Sequence, residues 1–181
     1  MDSHPGKTAL ELAKELSAEL AEFGPTESSR RTKSLPAPGD AADAPALYDR
    51  LVNDPELVAA TRDLFANRHY AQSVEQAFKY VNNLVKSRTG LAFDGADLMN
   101  RAFSVGAPSL KLSGLKTQSQ KDQQIGYMLM LAGAMTGIRN PRAHEHSHLD
   151  DPGVALELLG FANHLARTVR AASRARKRRS K

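Results

Sequence analysis

Residues 139–148 concentrate the polar side chains of this sequence that could do chemistry. In order they read Arg139-Asn140-Pro141-Arg142-Ala143-His144-Glu145-His146-Ser147-His148. An arginine guanidinium can hold two phosphate oxygens in its planar fork, and a histidine imidazole can exchange protons near neutral pH. RNA supplies its own nucleophile, the 2′-hydroxyl group. The Arg139 and His144 pair therefore suits phosphodiester cleavage without a protein nucleophile or a metal.

Pro141 predicts where the backbone bends. Proline disfavours helical geometry in the preceding residue and has no N–H group, so we expect a helix boundary at Asn140. Asn140 is then the N-cap and Pro141 the first residue of a new helix. On one continuous helix Arg139 and His144 would point about 140° apart. The break would let them converge over a helix N-terminus, where free N–H groups favour an anion.

The same residues also have structural interpretations. Arg139 and Asn140 could cap the adjoining helices, and His144 could be a packed histidine with satisfied hydrogen bonds. Glu145 is a candidate supporting residue of the site, but it also fits a first-turn acid that interacts with the helix dipole. Glu75 is the acid best placed on the long preceding helix to support the site, but a plain ion pair or an exposed position explains it as well.

The three histidines at positions 144, 146 and 148 raise the question of a metal site. On a helix His144 and His148 share a face while His146 points away, and the chain has no cysteine to complete a ligand set. Solvent exposure is the simpler explanation, so we expect neither a metal nor a cofactor. The sequence also lacks a phosphate-binding glycine loop, a Gly-x-Ser-x-Gly elbow and a His-Glu-x-x-His motif.

The composition suits one soluble domain with appendages, because the 181 residues are 41% hydrophobic and 25% charged. The absence of cysteine excludes disulfide frameworks, thiolate zinc sites and a cysteine nucleophile. No secretory signal is visible, and the longest nearly apolar run, Tyr127 to Met135, is about half of a membrane span. We therefore expect a cytoplasmic protein that makes no membrane contact.

The net charge of +5 comes from the C-terminus. Eight basic residues and no acid follow position 166, so the rest of the chain has more acids than bases. We assign residues 173–181 as a basic tail that could bind RNA phosphates, although a solvated, fraying helix end explains it equally well. The candidate phosphate-binding residues in the tail are Arg174, Arg176, Lys177, Arg178 and Arg179.

Two segments precede the predicted domain. Residues 7–23 carry apolar side chains three or four positions apart, which predicts an amphipathic helix within residues 1–24. Residues 25–45 contain four prolines among small and polar residues, which predicts a linker. The helix would need a surface to cover its apolar stripe, so residues 7–23 are a candidate contact for a protein partner.

Residues 46–172 predict an antiparallel helical bundle, because helical spacing runs throughout and no strand-like alternation competes with it. Helices are expected over residues 54–66, 69–88, 94–103 and 120–138, with a loop at 104–119 and a last helix capped by Asp151. The helix at 120–138 is apolar over much of its circumference and is therefore expected at the centre. The buried stripe expected on the last helix is Val154, Leu158, Phe161, Leu165 and Val169.

An Arg-polar-x3-His motif within such a bundle resembles the HEPN superfamily of small helical ribonucleases and nucleotide-associated proteins. The fuller string GIRNPRAHE at residues 137–145 is similar to the Ymh-type branch of that superfamily. So are the stretches HYAQSVEQAF at 69–78 and DGADLM at 94–99. The resemblance spans about residues 48–172.

The resemblance implies a metal-independent endoribonuclease that acts as a homodimer, with its two motifs facing each other across a cleft. Arg139 would bind the scissile phosphate, His144 would shuttle protons, and Asn140 would orient the histidine or the substrate; Arg142 is a candidate supporting residue. Cleavage would leave a 2′,3′-cyclic phosphate or its opened product. Such proteins serve as growth-arrest toxins or anti-phage defence effectors. The alternative is a non-catalytic regulatory or adaptor module that binds a partner protein or a nucleotide.

Overall fold

Helices make up most of residues 44–144 and 151–175, the part of the chain that the computed structural model describes. In chain order the elements are α1 (Ala44–Leu51), α2 (Pro55–Ala66), α3 (Tyr70–Thr89), α4 (Gly95–Phe103), β1 (Leu110–Lys111), α5 (Gln118–Ala134), a π-helical turn (Met135–Arg139), α6 (Asn140–His144), α7 (Pro152–Ala171) and β2 (Ser173–Arg174). The predicted all-α bundle is confirmed. The predicted helix at residues 7–23 lies outside the described residues, and so does most of the linker.

Local capping chemistry sets three of the helix ends as predicted. The Asp54 side chain accepts a hydrogen bond from the Leu57 N–H at the start of α2. Asp151 does the same for two N–H groups at the start of α7. Gly90 ends α3 with a left-handed φ of 69°, a conformation that costs glycine little.

The central helix is α3, which packs against α2, α4, α6, α7 and the π-helical turn. The prediction that the apolar helix at residues 120–138 is central is wrong. Only one side of α5 is buried, and its Leu129 and Met130 side chains are 59% and 40% exposed. The broad apolar circumference of α5 is therefore not buried on all sides, and among the described residues the side of Leu129 and Met130 stays exposed.

The buried face of α7 also differs from the predicted stripe. Leu165 and Val169 are buried as expected, but Val154 is 39% exposed and Leu158 and Phe161 are only half-buried. The buried residues of α7 also include three alanines, at positions 155, 162 and 166, and Ala172 just after its end is buried as well. Small side chains let α7 approach α3 closely, and a pattern based on large apolar residues overlooks them.

Two short strands correct the expectation of a bundle without strands. Leu110–Lys111 pairs antiparallel with Ser173–Arg174, with Leu110 opposite Arg174. The buried Gln124 side chain holds the same loop, because it accepts from the Leu112 N–H at 3.0 Å and donates to the carbonyls of Phe103 and Leu110. The loop predicted at 104–119 is therefore anchored at its middle, and α5 begins before its end.

Helix α1 begins at Ala44, so it includes the last two residues assigned to the linker. Tyr48 anchors α1: its side chain is 1% exposed, and its hydroxyl is hydrogen-bonded to Thr61 of α2 at 2.6 Å. Burial is the main cause that raises the pKa of the Tyr48 hydroxyl. Within residues 44–144 and 151–175, no helix is both long enough and apolar enough to cross a membrane.

Candidate functional site

The helix that carries the motif does not break at Pro141. Met135–Arg139 forms a π-helical turn that continues into α6, and Asn140 has helical angles of −62° and −44°. The Asn140 N–H donates to the carbonyl of Met135, five residues earlier. The prediction of a helix boundary with Asn140 as N-cap is therefore wrong.

The π-helical turn explains how a proline fits inside this helical run. In an α-helix, a proline ring clashes with the carbonyl four residues earlier and leaves that carbonyl without its usual donor. A turn with one extra residue shifts the carbonyls out of that register, and such turns are frequent at functional sites. Since the run is continuous, Asn140 does not open a free helix N-terminus. The expected anion site on such a terminus is wrong as well.

Arg139 and His144 consequently stay on one helical run. Side chains five residues apart on a helix leave it about 140° apart. Arg139 is half-buried and His144 is exposed at the end of α6. No hydrogen bond joins these two side chains in the described part of the chain. Within one chain, the structure therefore does not bring the two motif side chains together.

Arg139 has an unusual environment for an arginine. Its Nε is buried and has no hydrogen-bond partner among the residues that the structure describes. A buried donor without an acceptor is uncommon in folded proteins, since it loses its hydration without replacing it. The π-helical turn that carries Arg139 packs against α3 and α4, so the backbone at this position is well supported.

Asp94 supplies the negative charge near Arg139. Its carboxylate accepts hydrogen bonds from Lys86 Nζ at 2.7 Å and from Asn82 Nδ2 at 2.8 Å, and Asn82 also accepts from the Gly95 N–H at 2.9 Å. The hydrogen bond from Lys86, followed by that from Asn82, lowers the pKa of the Asp94 carboxyl, and the positive charge of Arg139 acts in the same direction. Asp94 is therefore a fixed negative charge at the junction of α3, α4 and the motif.

Sequence reasoning did not assign Asp94, Asn82 and Lys86 to the site. Asp94 did lie in the DGADLM stretch, which was the only signal available. Asn82 is 2% exposed, a burial unusual for an asparagine and invisible to a spacing argument.

A comparison with known protein families matches the part of the chain that contains these residues. Residues 52–169 match the family model Hypoth_Ymh, which is described as a protein of unknown function. The chain belongs to the Ymh family. The match covers the motif, Asp94 and the long α3 helix, and the all-α bundle is consistent with the HEPN superfamily. Neither a curated protein nor a solved structure matches the chain.

The remaining predicted residues of this Ymh-family chain have varied positions. Arg142 donates to the carbonyl of Ile138 at 2.9 Å, so it supports the helix that carries the motif. Glu75 is half-buried on α3. The charge of Asp94, an acid outside the predicted set, interacts with Arg139. Arg174 is exposed in β2, whereas Glu145 and residues 176–179 lie outside the described residues.

The predictions about metals stay predictions for this Ymh-family protein. Within residues 44–144 and 151–175, no three His, Asp or Glu side chains are grouped closely enough to hold a metal ion. His146 and His148 lie outside those ranges.

Proposed function

We propose that this Ymh-family chain is a metal-independent endoribonuclease of the HEPN type and acts as a homodimer. The observation that carries the proposal is the environment of Arg139. A half-buried arginine whose buried Nε has no acceptor among the described residues suits an anion such as the scissile phosphate. The exposed His144 five residues later supplies a group that can exchange protons.

The reaction needs only these groups and the RNA itself. His144 removes the proton from a 2′-hydroxyl, and the 2′-oxygen attacks the adjacent phosphorus. The bond from phosphorus to the 5′-oxygen breaks, and the departing oxygen takes up the proton that His144 has removed. Arg139 stabilises the extra negative charge on the phosphoryl oxygens. The products are a 2′,3′-cyclic phosphate, or its opened form, and a 5′-hydroxyl.

Two copies of the chain complete this site. Arg139 and His144 leave one helical run about 140° apart, so a single chain presents them in different directions. Two copies that face each other across a two-fold axis can place Arg139 of one protomer opposite His144 of the partner subunit.

The exposed face of α5 supports this arrangement. Leu129 and Met130 are exposed between Gly126 and Gly133, and these four positions share one side of the helix. A Cβ added at either glycine would meet no atom within 4 Å. The face therefore combines apolar side chains with room for a second backbone, and α5 leads directly into the motif.

The test of catalysis is the incubation of the purified full-length protein with total RNA in EDTA. We expect cleavage, and we expect both His144→Ala and Arg139→Ala to reduce the rate by at least about 100-fold. His69→Ala is the matched control, because His69 is also an exposed histidine near a helix end. Circular dichroism should show unchanged helix content. Undiminished cleavage by repurified His144→Ala would overturn the assignment.

The test of the composite site is a mixture of two inactive variants. Arg139→Ala and His144→Ala chains, mixed and allowed to exchange subunits, should regain about a quarter of wild-type activity. Half of the dimers are then mixed, and each mixed dimer has one intact site. Leu129→Glu should yield monomers without activity. A mixture that stays inactive although subunits exchange would contradict a site shared between protomers.

The proposed biological role is that of a growth-arrest toxin or an anti-phage effector. Induced expression in a bacterial host should stop growth for the wild type but not for His144→Ala. A folded dimer that neither cuts RNA nor arrests growth would instead favour the non-catalytic adaptor module.

A further inference from the structure

A cleft of about 490 Å³ lies beside α4 and has no role in the chemistry described above. Its lining includes Phe93 from the turn before α4, and Asp97, Asn100, Arg101 and Ser104 from α4 and its end. We propose that this cleft binds a guanine base of the single-stranded RNA that the enzyme cuts, and we call it the base cleft. The identity of the RNA as substrate rests on the proposed function; the binding of the base does not.

One side of α4 forms a wall of the base cleft, and the opposite side of α4 is fixed in the hydrophobic core. Residues 97, 100, 101 and 104 follow the spacing i, i+3, i+4 and i+7, which places them on one side of α4. The opposite side is held in the core, since Leu98, Met99, Ala102 and Phe103 are all fully buried. The polar side chains therefore project from a well-fixed helix.

An aromatic side chain and a cation form a stacking surface in the base cleft. The Phe93 side chain is 37% exposed, although its ring is apolar and could have been packed in the core. The Arg101 Cζ lies 4.0 Å from the centroid of the Phe93 ring. RNA-binding proteins stack splayed-out bases on aromatic rings and on guanidinium planes. A base can therefore extend the stack that Phe93 and Arg101 have already formed.

The polar groups of the base cleft select for guanine. Asp97 and Asn100 are exposed, and neither forms a hydrogen bond or an ion pair with another residue in the described ranges. A carboxylate has two oxygens that only accept hydrogen bonds. Guanine presents the matching pair of adjacent donors, N1–H and the N2 amino group, on its Watson–Crick edge. Adenine, cytosine and uracil do not present two adjacent donors there. Asn100 can donate to the guanine O6.

The base cleft is linked to the motif through two adjacent residues, Phe93 and Asp94. Phe93 lines the cleft, and the next residue, Asp94, interacts electrostatically with Arg139. Consecutive Cα atoms are only about 3.8 Å apart. The base cleft and the charge that acts on Arg139 therefore involve adjacent residues of the chain.

The test uses short RNA that cannot be cleaved. Pentamers with 2′-O-methyl groups throughout lack the attacking hydroxyl, so their binding is independent of catalysis. We expect the full-length protein to bind the 2′-O-methyl pentamer UUGUU at least about fivefold more tightly than UUAUU, UUCUU or UUUUU, as measured by fluorescence anisotropy. Phe93→Ala should weaken the binding of UUGUU at least about fivefold, since a stacked base contributes at least that much. Phe93→Trp should retain it.

The charge variants separate base recognition from catalysis. Asp97→Asn should abolish the preference for UUGUU, whereas Asp63→Asn, at an exposed aspartate on α2, should not change it. Arg139→Ala should bind UUGUU with its base preference intact. Equal affinity for the four pentamers would overturn the base cleft even if the protein cuts RNA. A preference for UUGUU that depends on Asp97 would support it even if the protein cuts nothing.

Discussion

Asp54 joins three helices, and its replacement should measurably destabilise the bundle. Its side chain is 1% exposed and accepts hydrogen bonds from the Leu57 N–H at 3.1 Å, the Tyr80 hydroxyl at 2.9 Å and Arg170 Nε at 2.6 Å. Burial opposes the ionisation of this carboxyl, but the hydrogen bonds, that from Arg170 first, outweigh burial and lower its pKa. Asp54 is therefore an ionised carboxylate that connects α2, α3 and α7.

The expected loss in the free energy of unfolding follows from the interactions that Asp54→Ala removes. Loss of the N-cap costs about 1 kcal/mol, and a half-buried Tyr80 hydroxyl without its acceptor costs about 1–2 kcal/mol. The loss at Arg170 adds little, because its side chain is 39% exposed and Glu56 lies 3.1 Å from its guanidinium. We expect the free energy of unfolding to fall by about 2–3 kcal/mol in Asp54→Ala. Asp54→Asn retains an oxygen for the cap, so it should lose less.

Urea unfolding followed by circular dichroism at pH 7 measures these losses. The matched control is Asp49→Ala, which removes an exposed carboxylate paired with Arg62 and should change stability far less. Since the pKa of Asp54 is lowered in the folded state, its contribution is present above the unfolded value of about 3.9 and is lost as the pH falls through the folded value. The difference between wild type and Asp54→Asn should therefore shrink below about pH 4. An Asp54→Ala loss no larger than that of Asp49→Ala would refute the reasoning.

Two further predictions concern stability. Burial, followed by the hydrogen bond to Asp54, raises the pKa of Tyr80 to about 12, whereas an unfolded tyrosine ionises near pH 10. The contribution of the Tyr80 hydroxyl to the free energy of unfolding is thus complete below about pH 10 and lost toward pH 12. In urea titrations, the stability of Tyr80→Phe should therefore fall less steeply over this pH range than that of the wild type. An equally steep fall in both proteins would contradict the raised pKa of Tyr80. Gln124→Leu leaves buried backbone groups without partners and should cost about 3 kcal/mol. Amide hydrogen exchange at Leu112 should become faster, and unchanged protection there would show that Gln124 does not hold the loop.

The features of the fold that depend on local chemistry could be predicted from the sequence. The caps at Asp54 and Asp151 and the stop at Gly90 each depend on a few neighbouring residues, so the helix ends could be predicted well. The faces of the helices depend on which neighbour covers them. The apolar residues of α5 and the alanines of α7 contain no information on that neighbour. The central position of α5 and part of the α7 stripe were therefore predicted incorrectly.

The candidate site was partly predictable for the same reason. Arg139 and His144 could be found because their types and spacing form a motif within six residues. Lys86 and Asn82 belong to α3 and Asp94 to the start of α4, and only the packing of these helices joins the three side chains. Contacts between distant segments leave no period in the sequence.

The π-helical turn before Pro141 determines how many copies a site needs. A break at Pro141 would have let one chain assemble Arg139 and His144 over a new helix end. The turn instead keeps the helical run continuous, so the two side chains diverge within a chain. If both residues act on one phosphate, the second must come from another copy, and the exposed side of α5 ends at this motif. The mixture of Arg139→Ala and His144→Ala chains therefore tests the backbone geometry as well as the catalytic roles, because only a divergent pair allows two inactive chains to complement each other.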